Sequence, residues 1–166
     1  EETFYIFNDA TYTPNDGSVG FSESDFTFSG KWSDPAQLIS NAHTDNVKVL
    51  LWQIPVLRYN TTTNTQRSND ESYAITNSYV LKNDDDTPYR FQAGWFGGSL
   101  TPDFTNTTAT NWWFAKRQYL LDDIDIDGFK CDGGEFVWGR GTKFSDGSKG
   151  DEMRNAYPDL YIQAYY

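Results

Sequence analysis

With 166 residues, 37% of them apolar, the chain is long enough for one domain with a core of its own. A net charge of −11 excludes a surface built for nucleic-acid phosphates or anionic membranes, because such affinity rests on clustered Lys and Arg. No apolar run approaches the length of a membrane span, and the single cysteine, Cys131, excludes an intrachain disulfide framework.

Taken in chain order, Thr3-Phe4-Tyr5-Ile6-Phe7 reads as extended and is followed by a polar, glycine-containing loop through Gly30. Asp34-Pro35 is a helix start, with Asp as N-cap and Pro in the first helical position, and Leu38, Ile39 and Ala42 supply an apolar face. Val47 to Trp52 is almost continuously apolar, as a buried strand of a parallel sheet requires, and Gln53-Ile54-Pro55 ends it. Residues 56–105 show no long periodicity and read as an elaborated loop with short strands such as Ser78 to Leu81. A helix capped by Asn106 or Thr107 is predicted to run through Leu121, with Trp113, Lys116, Arg117, Leu120 and Leu121 at helical spacing. Asp125 to Lys130 alternates with period two and predicts a strand, and a final helix is expected from about Asp151, interrupted near Pro158. Helix, strand, loop, helix, strand, loop, helix is the repeating unit of a parallel α/β architecture.

The chemistry concentrates in Gly128-Phe129-Lys130-Cys131-Asp132-Gly133-Gly134-Glu135. Here a carboxylate leaves the end of a strand into a glycine turn, which is where an α/β barrel places catalytic groups. The two glycines allow a sharp turn or the close approach of a ligand. Glu135 follows near enough to hold or polarise the Asp132 carboxylate through water or a shared cation. Asp123-Ile124-Asp125-Ile126-Asp127-Gly128 imitates the opening of a calcium loop, but position twelve, which needs a bidentate Glu, is Gly134, and Lys130 stands at the usual apolar position eight. The strand reading is therefore preferred. The only histidine, His43, lies far from Cys131 in sequence, so a small buried cysteine at a strand end fits better than a Cys/His nucleophile.

Aromatic residues make up 17% of the chain, and many lie beside Asn, Asp, Thr and Gln. Sugars suit that pairing, since their apolar ring faces stack on aromatics while their hydroxyls bind amides and carboxylates. An aromatic-rich core of a secreted protein would give the same composition. The sequons Asn60-Thr61-Thr62 and Asn106-Thr107-Thr108 tilt the reading towards an exported, extracellular protein. The absence of an initial Met and the apolar ending Tyr161 to Tyr166 suggest a piece of something longer.

Phe129-Lys130-Cys131-Asp132-Gly133-Gly134-Glu135 resembles the nucleophile motif of glycoside hydrolase family 31, the α-glucosidase and α-xylosidase family. Leu51-Trp52-Gln53-Ile54-Pro55 is similar to that family's third barrel strand. Asp103-Phe104-Thr105-Asn106 with Trp112-Trp113 and Lys116 resembles the segment feeding the next helix, and Arg154 to Tyr161 the helix after the nucleophile strand. The resemblance implies a partial (β/α)8 TIM barrel over residues 1–166, around strands 3 and 4, with the rest of the barrel in a parent protein. It also implies a retaining mechanism with two carboxylates. Asp132 matches the nucleophile, and Lys130 matches a lysine whose charge would keep it ionised. Glu135 and Trp52 would orient the site, and Trp95, Trp138 and Arg140 are further candidates for the sugar subsite. The implied activity is α-glycoside hydrolysis through a glycosyl-Asp132 intermediate. The alternatives are α-transglycosylation in the same family or a non-catalytic carbohydrate-binding module. No cofactor or metal is implied, and the partner is a carbohydrate. Cys131 replaces the family's usual Thr. The acid/base Asp belongs to a later strand than any in this chain, and Asp146 and Asp151 are too close to the nucleophile to stand in.

Overall fold

The computed structural model describes residues 2–4, 34–57, 65–92 and 96–166, arranged in two units. One comprises Glu1–Gln53 with Phe114–Asp132, and the other Ile54–Trp113 with Gly133–Tyr166. The expected extension beyond Phe4, the loop through Gly30, the sequon at Asn60 and Trp95 lie outside the described residues.

In the first unit, three strands form a parallel sheet in the order β1 (Glu2–Phe4), β2 (Val49–Gln53), β3 (Gly128–Cys131). The register pairs Thr3 with Leu50, and Trp52 with Lys130. Helix α1 (Pro35–Thr44) begins as its sequence dictates: the Asp34 carboxylate accepts from the Gln37 amide at 3.0 Å, and Pro35 occupies the first turn. Its Ile39 joins Val49 and Leu51 of β2 in a core completed by Tyr119, Leu120, Ile124 and Ile126. Each aliphatic side chain so buried contributes about 1.5–3 kcal/mol. β2 is buried on both faces, which accounts for its continuous apolar run.

Two expectations here need correction. The segment Asp125 to Asp127 is not strand: Asp125 has φ +64° and the sheet begins only at Gly128. Ile124 and Ile126 instead donate backbone hydrogen bonds to Tyr119 and Leu120, both at 3.1 Å, so the chain folds back and buries two alternate residues in the helix-side core. A tucked turn thus imitates strand periodicity. The predicted long helix is also broken, into α3 (Thr107–Ala115) and α4 (Gln118–Asp122), with Arg117 at φ −116°, ψ −10° between them.

The second unit holds α2 (Thr65–Thr76), most of α3, α5 (Gly150–Met153) and α6 (Tyr157–Tyr165). Helix α2 replaces the irregular loop expected there. Its sequence is polar, and Ala74 is the apolar residue it buries completely, so it has almost no stripe to read. Ser78 to Leu81 makes a single antiparallel bridge, Val80 to Pro102, rather than a strand. Asn106 caps α3, its side-chain oxygen accepting from the Thr108 and Ala109 amides. The final helical stretch begins at Gly150 and is interrupted after Met153, just before Pro158, which then opens α6. The core is aromatic: Phe104 lies 6.0 Å edge-on from Trp113 and 5.9 Å from Tyr157, whose hydroxyl donates to the Pro102 carbonyl at 2.8 Å.

Candidate active site

The site stands at the carboxyl ends of β2 and β3, the edge at which parallel α/β sheets bind ligands. Parallel pairing of Trp52 with Lys130 and of Gln53 with Cys131 brings the two strand ends side by side. The ladder is extended by one bond, from the Asp132 amide to the Gln53 carbonyl at 2.8 Å. Because side chains alternate along extended backbone, Lys130 and Asp132 share a face and Cys131 takes the other. The Lys130 ammonium lies 4.0 Å from Oδ2 of Asp132. The buried Trp52 donates its indole N–H to the same oxygen at 2.8 Å.

Asp132 is therefore held by the Trp52 indole while 41% of its side chain stays exposed. Cys131 is half-buried rather than enclosed, which corrects the expected small buried residue. His43 bonds Asp127 at 2.8 Å, at the start of β3, whereas Cys131 ends that strand. Lys48 and the Val49 amide donate to Asp127 as well, at 2.6 and 2.8 Å. Desolvation works to raise the Asp127 carboxyl, but the bonds from Lys48, Val49 and His43 outweigh it and hold it well below the usual carboxylate range. That carboxylate at the opposite end of the strand has a structural task.

The remaining sequence candidates belong to the second unit. Glu135 is exposed. Trp138 is half exposed, with the Arg154 guanidinium 4.4 Å from its ring centroid, so one face is occupied by a cation. Arg140 extends into solvent and lies 3.4 Å from Asp151 of α5.

Two polar residues near Asp132 were not singled out by sequence reasoning. Gln53 and Arg117 are both completely buried in the first unit, and the Arg117 Nε donates to Gln53 Oε1 at 2.7 Å. The available signal was a glutamine closing an apolar strand and an arginine on an apolar helical stripe. Among the described residues no group of three or more His, Cys, Asp or Glu side chains is placed to hold a metal ion.

Residues 5–166 match the family model described as the glycosyl hydrolases family 31 TIM-barrel domain. The chain belongs to glycoside hydrolase family 31. Its α/β architecture is accordingly part of a TIM barrel. An isomaltosyltransferase of Sporosarcina globispora is 52% identical over 99% of the chain, which spans 15% of that relative's length. A 1,3-α-isomaltosidase of Kribbella flavida is 36% identical over 99% of the chain and 23% of the relative. Among solved structures, the cycloalternan-forming enzyme of Listeria monocytogenes in complex with a pentasaccharide substrate is 48% identical with a TM-score of 0.84, over 99% of this chain and 16% of that one. Family membership is thus carried by the whole chain, and the whole enzymes are several times longer.

Proposed function

We propose that residues 1–166 are the nucleophile-bearing part of a retaining glycosidase or glycosyltransferase of this family acting on α-linked glucans. The observation that carries the reading is Asp132 at the carboxyl end of β3, bonded by Trp52, 4.0 Å from Lys130 and still partly open. An Asp132 oxygen attacks the anomeric carbon of the α-glycoside as the bond to the leaving oxygen breaks. The leaving oxygen takes a proton from a general acid contributed by another part of the enzyme. The resulting glycosyl ester is then opened by water, giving hydrolysis, or by a sugar hydroxyl, giving transfer.

Lys130 and Trp52 hold the carboxylate, and Lys130 has reach for a sugar hydroxyl. Glu135, Trp95, Trp138 and Arg140 remain proposed contributors to orientation and to the sugar subsite. Transfer is the reading favoured over hydrolysis, because the isomaltosyltransferase and the cycloalternan-forming enzyme share about half of their aligned residues with this chain, against 36% for the isomaltosidase. These percentages are a guide to lineage, since the acceptor site that decides between water and sugar includes residues of the whole enzyme.

The decisive test is intact mass of the full-length enzyme after incubation with 5-fluoro-α-glucosyl fluoride, whose activated leaving group departs without a general acid. One added fluoroglucosyl unit on Asp132 is expected. An adduct on a different carboxylate, or full turnover by Asp132→Asn, overturns the assignment. Product analysis with an isomaltose-containing α-glucan then separates the two outcomes: new, longer oligosaccharides for transfer, free sugars for hydrolysis.

A further inference from the structure

We propose that Arg117 is a positioning residue for the nucleophile, acting through Gln53; this rests on the reading of Asp132 given above. The Gln53 side-chain amide is held at both of its ends. Its oxygen accepts from the Arg117 Nε at 2.7 Å, and its nitrogen donates to the Trp52 carbonyl at 3.1 Å. The backbone between Trp52 and Gln53 is thereby clamped from within the unit. Those same two residues make the contacts that place Asp132: Trp52 donates its indole N–H to the carboxylate, and Gln53 accepts the Asp132 amide, both at 2.8 Å.

Stability alone does not account for this arrangement. Arg117 and Gln53 are 1% and 0% exposed, and burying such groups in a stretch otherwise apolar brings a desolvation cost that well-packed hydrophobic residues avoid. The two bonds at the ends of the Gln53 amide hold that side chain in one arrangement, where an apolar side chain would tolerate several. The helix break fits the same purpose. Arg117 occupies the bridge region between α3 and α4, with its amide on Phe114 and its carbonyl accepting from Leu120, so the chain leaves helical geometry at the residue that carries the clamp. Local rules are broken twice, in the strand and in the helix, and the two exceptions meet.

The consequence is a nucleophile whose reach depends on a side chain that never touches substrate. Misplacing a reacting group by about 1 Å costs on the order of 10²-fold in rate. The test uses the full-length enzyme with α-glucosyl fluoride as donor and compares Gln53→Met, Arg117→Met, the double variant and Arg117→Lys, with Asp132→Asn as reference. Each Met variant is expected to lose about 30-fold or more in kcat with KM changed by no more than about threefold. The double variant should lose little more than the worse single one, because both cut one chain of contacts. Arg117→Lys keeps a donor within reach of Gln53 and should recover at least half of the logarithmic loss. Unchanged kcat in folded Gln53→Met and Arg117→Met overturns the inference, as does an additive double variant in which KM rises as much as kcat falls. If Arg117→Met fails to fold, Gln53→Met and Arg117→Lys decide by the same criteria. Full turnover by Asp132→Asn would instead sink the nucleophile assignment itself, so the two failures are distinguishable.

Discussion

Substituting Gly133 by Ala tests how tightly the turn after Asp132 is built. Gly133 has φ +71°, and a Cβ there meets the Phe136 ring at 3.0 and 3.2 Å and the Ile54 Cγ2 at 3.5 Å. Phe136 has little freedom to retreat, since it is buried and its ring stacks on Phe91 with 4.7 Å between centroids. Two costs add: about 1–2 kcal/mol for a Cβ in the left-handed region, and about 1–3 kcal/mol for forcing a packed neighbour. Gly147, at φ +93° with nothing within 4 Å of its Cβ position, carries the first cost without the second. The difference between Gly133→Ala and Gly147→Ala is therefore about 1–3 kcal/mol, or about 2–12 °C in thermal midpoint at the usual slope for a domain this size. Near-UV circular dichroism on heating measures it. A Gly133→Ala/Phe136→Leu double variant, compared with Phe136→Leu alone, should lose most of the packing cost and keep the conformational one. Equal midpoints for Gly133→Ala and Gly147→Ala would refute the packing argument. Because Gly133 follows Asp132 directly, Gly133→Ala in the full-length enzyme should also slow fluoroglucosyl labelling, whereas Gly147→Ala should not.

Other predictions concern the two ends of β3 and the aromatic core. Asp127 sits below its ordinary range through Lys48, Val49 and His43, so its stabilisation is fully present above about pH 4 and is lost as pH falls towards the folded value. The midpoint advantage of the native chain over Asp127→Asn should accordingly shrink below about pH 4, and an advantage constant from pH 7 to 2 would count against the network. Trp52→Phe keeps the ring but removes the 2.8 Å bond to Asp132. Hydrogen bonds to charged groups contribute about 1.5–3 kcal/mol, so labelling of Asp132 should slow by about 10–100-fold, and an unchanged rate would remove Trp52 from the site. Burial, followed by the nearby Asp103 charge, raises the Tyr157 phenol well above its ordinary value. Above about pH 10 the unfolded chain releases that proton and the folded chain does not, so stability should fall with rising pH. Tyr157→Phe, at a cost of about 1–2 kcal/mol from the lost bond to Pro102, should flatten that alkaline decline.

What the sequence revealed and what it concealed divide by range. Asp34 capping a helix and β2 running apolar are local facts, written within a few residues, and the structure keeps both. The segment proposed to carry the nucleophile stands out for the same reason, since a strand end, a carboxylate and a glycine turn occupy consecutive positions. Helix α2 escaped because a polar surface helix that buries little beyond Ala74 leaves no periodic trace. Ile124 and Ile126 misled because burial of alternate residues in a turn looks the same as burial of alternate residues in a strand. Arg117 and Gln53 were opaque for a stronger reason: their bond joins positions 64 residues apart, and neither residue makes sense without the other. An arginine on an apolar helical stripe and a glutamine at the end of an apolar strand each look like isolated irregularities. Their sequence signature is the irregularity itself, a polar residue where the local pattern demands an apolar one, and two such violations bordering a candidate nucleophile strand suggest a pair before any coordinate is known. The candidate carboxylate can be found by its neighbours in the chain, while the pair proposed to support it can be found only by asking which residues break the pattern around it.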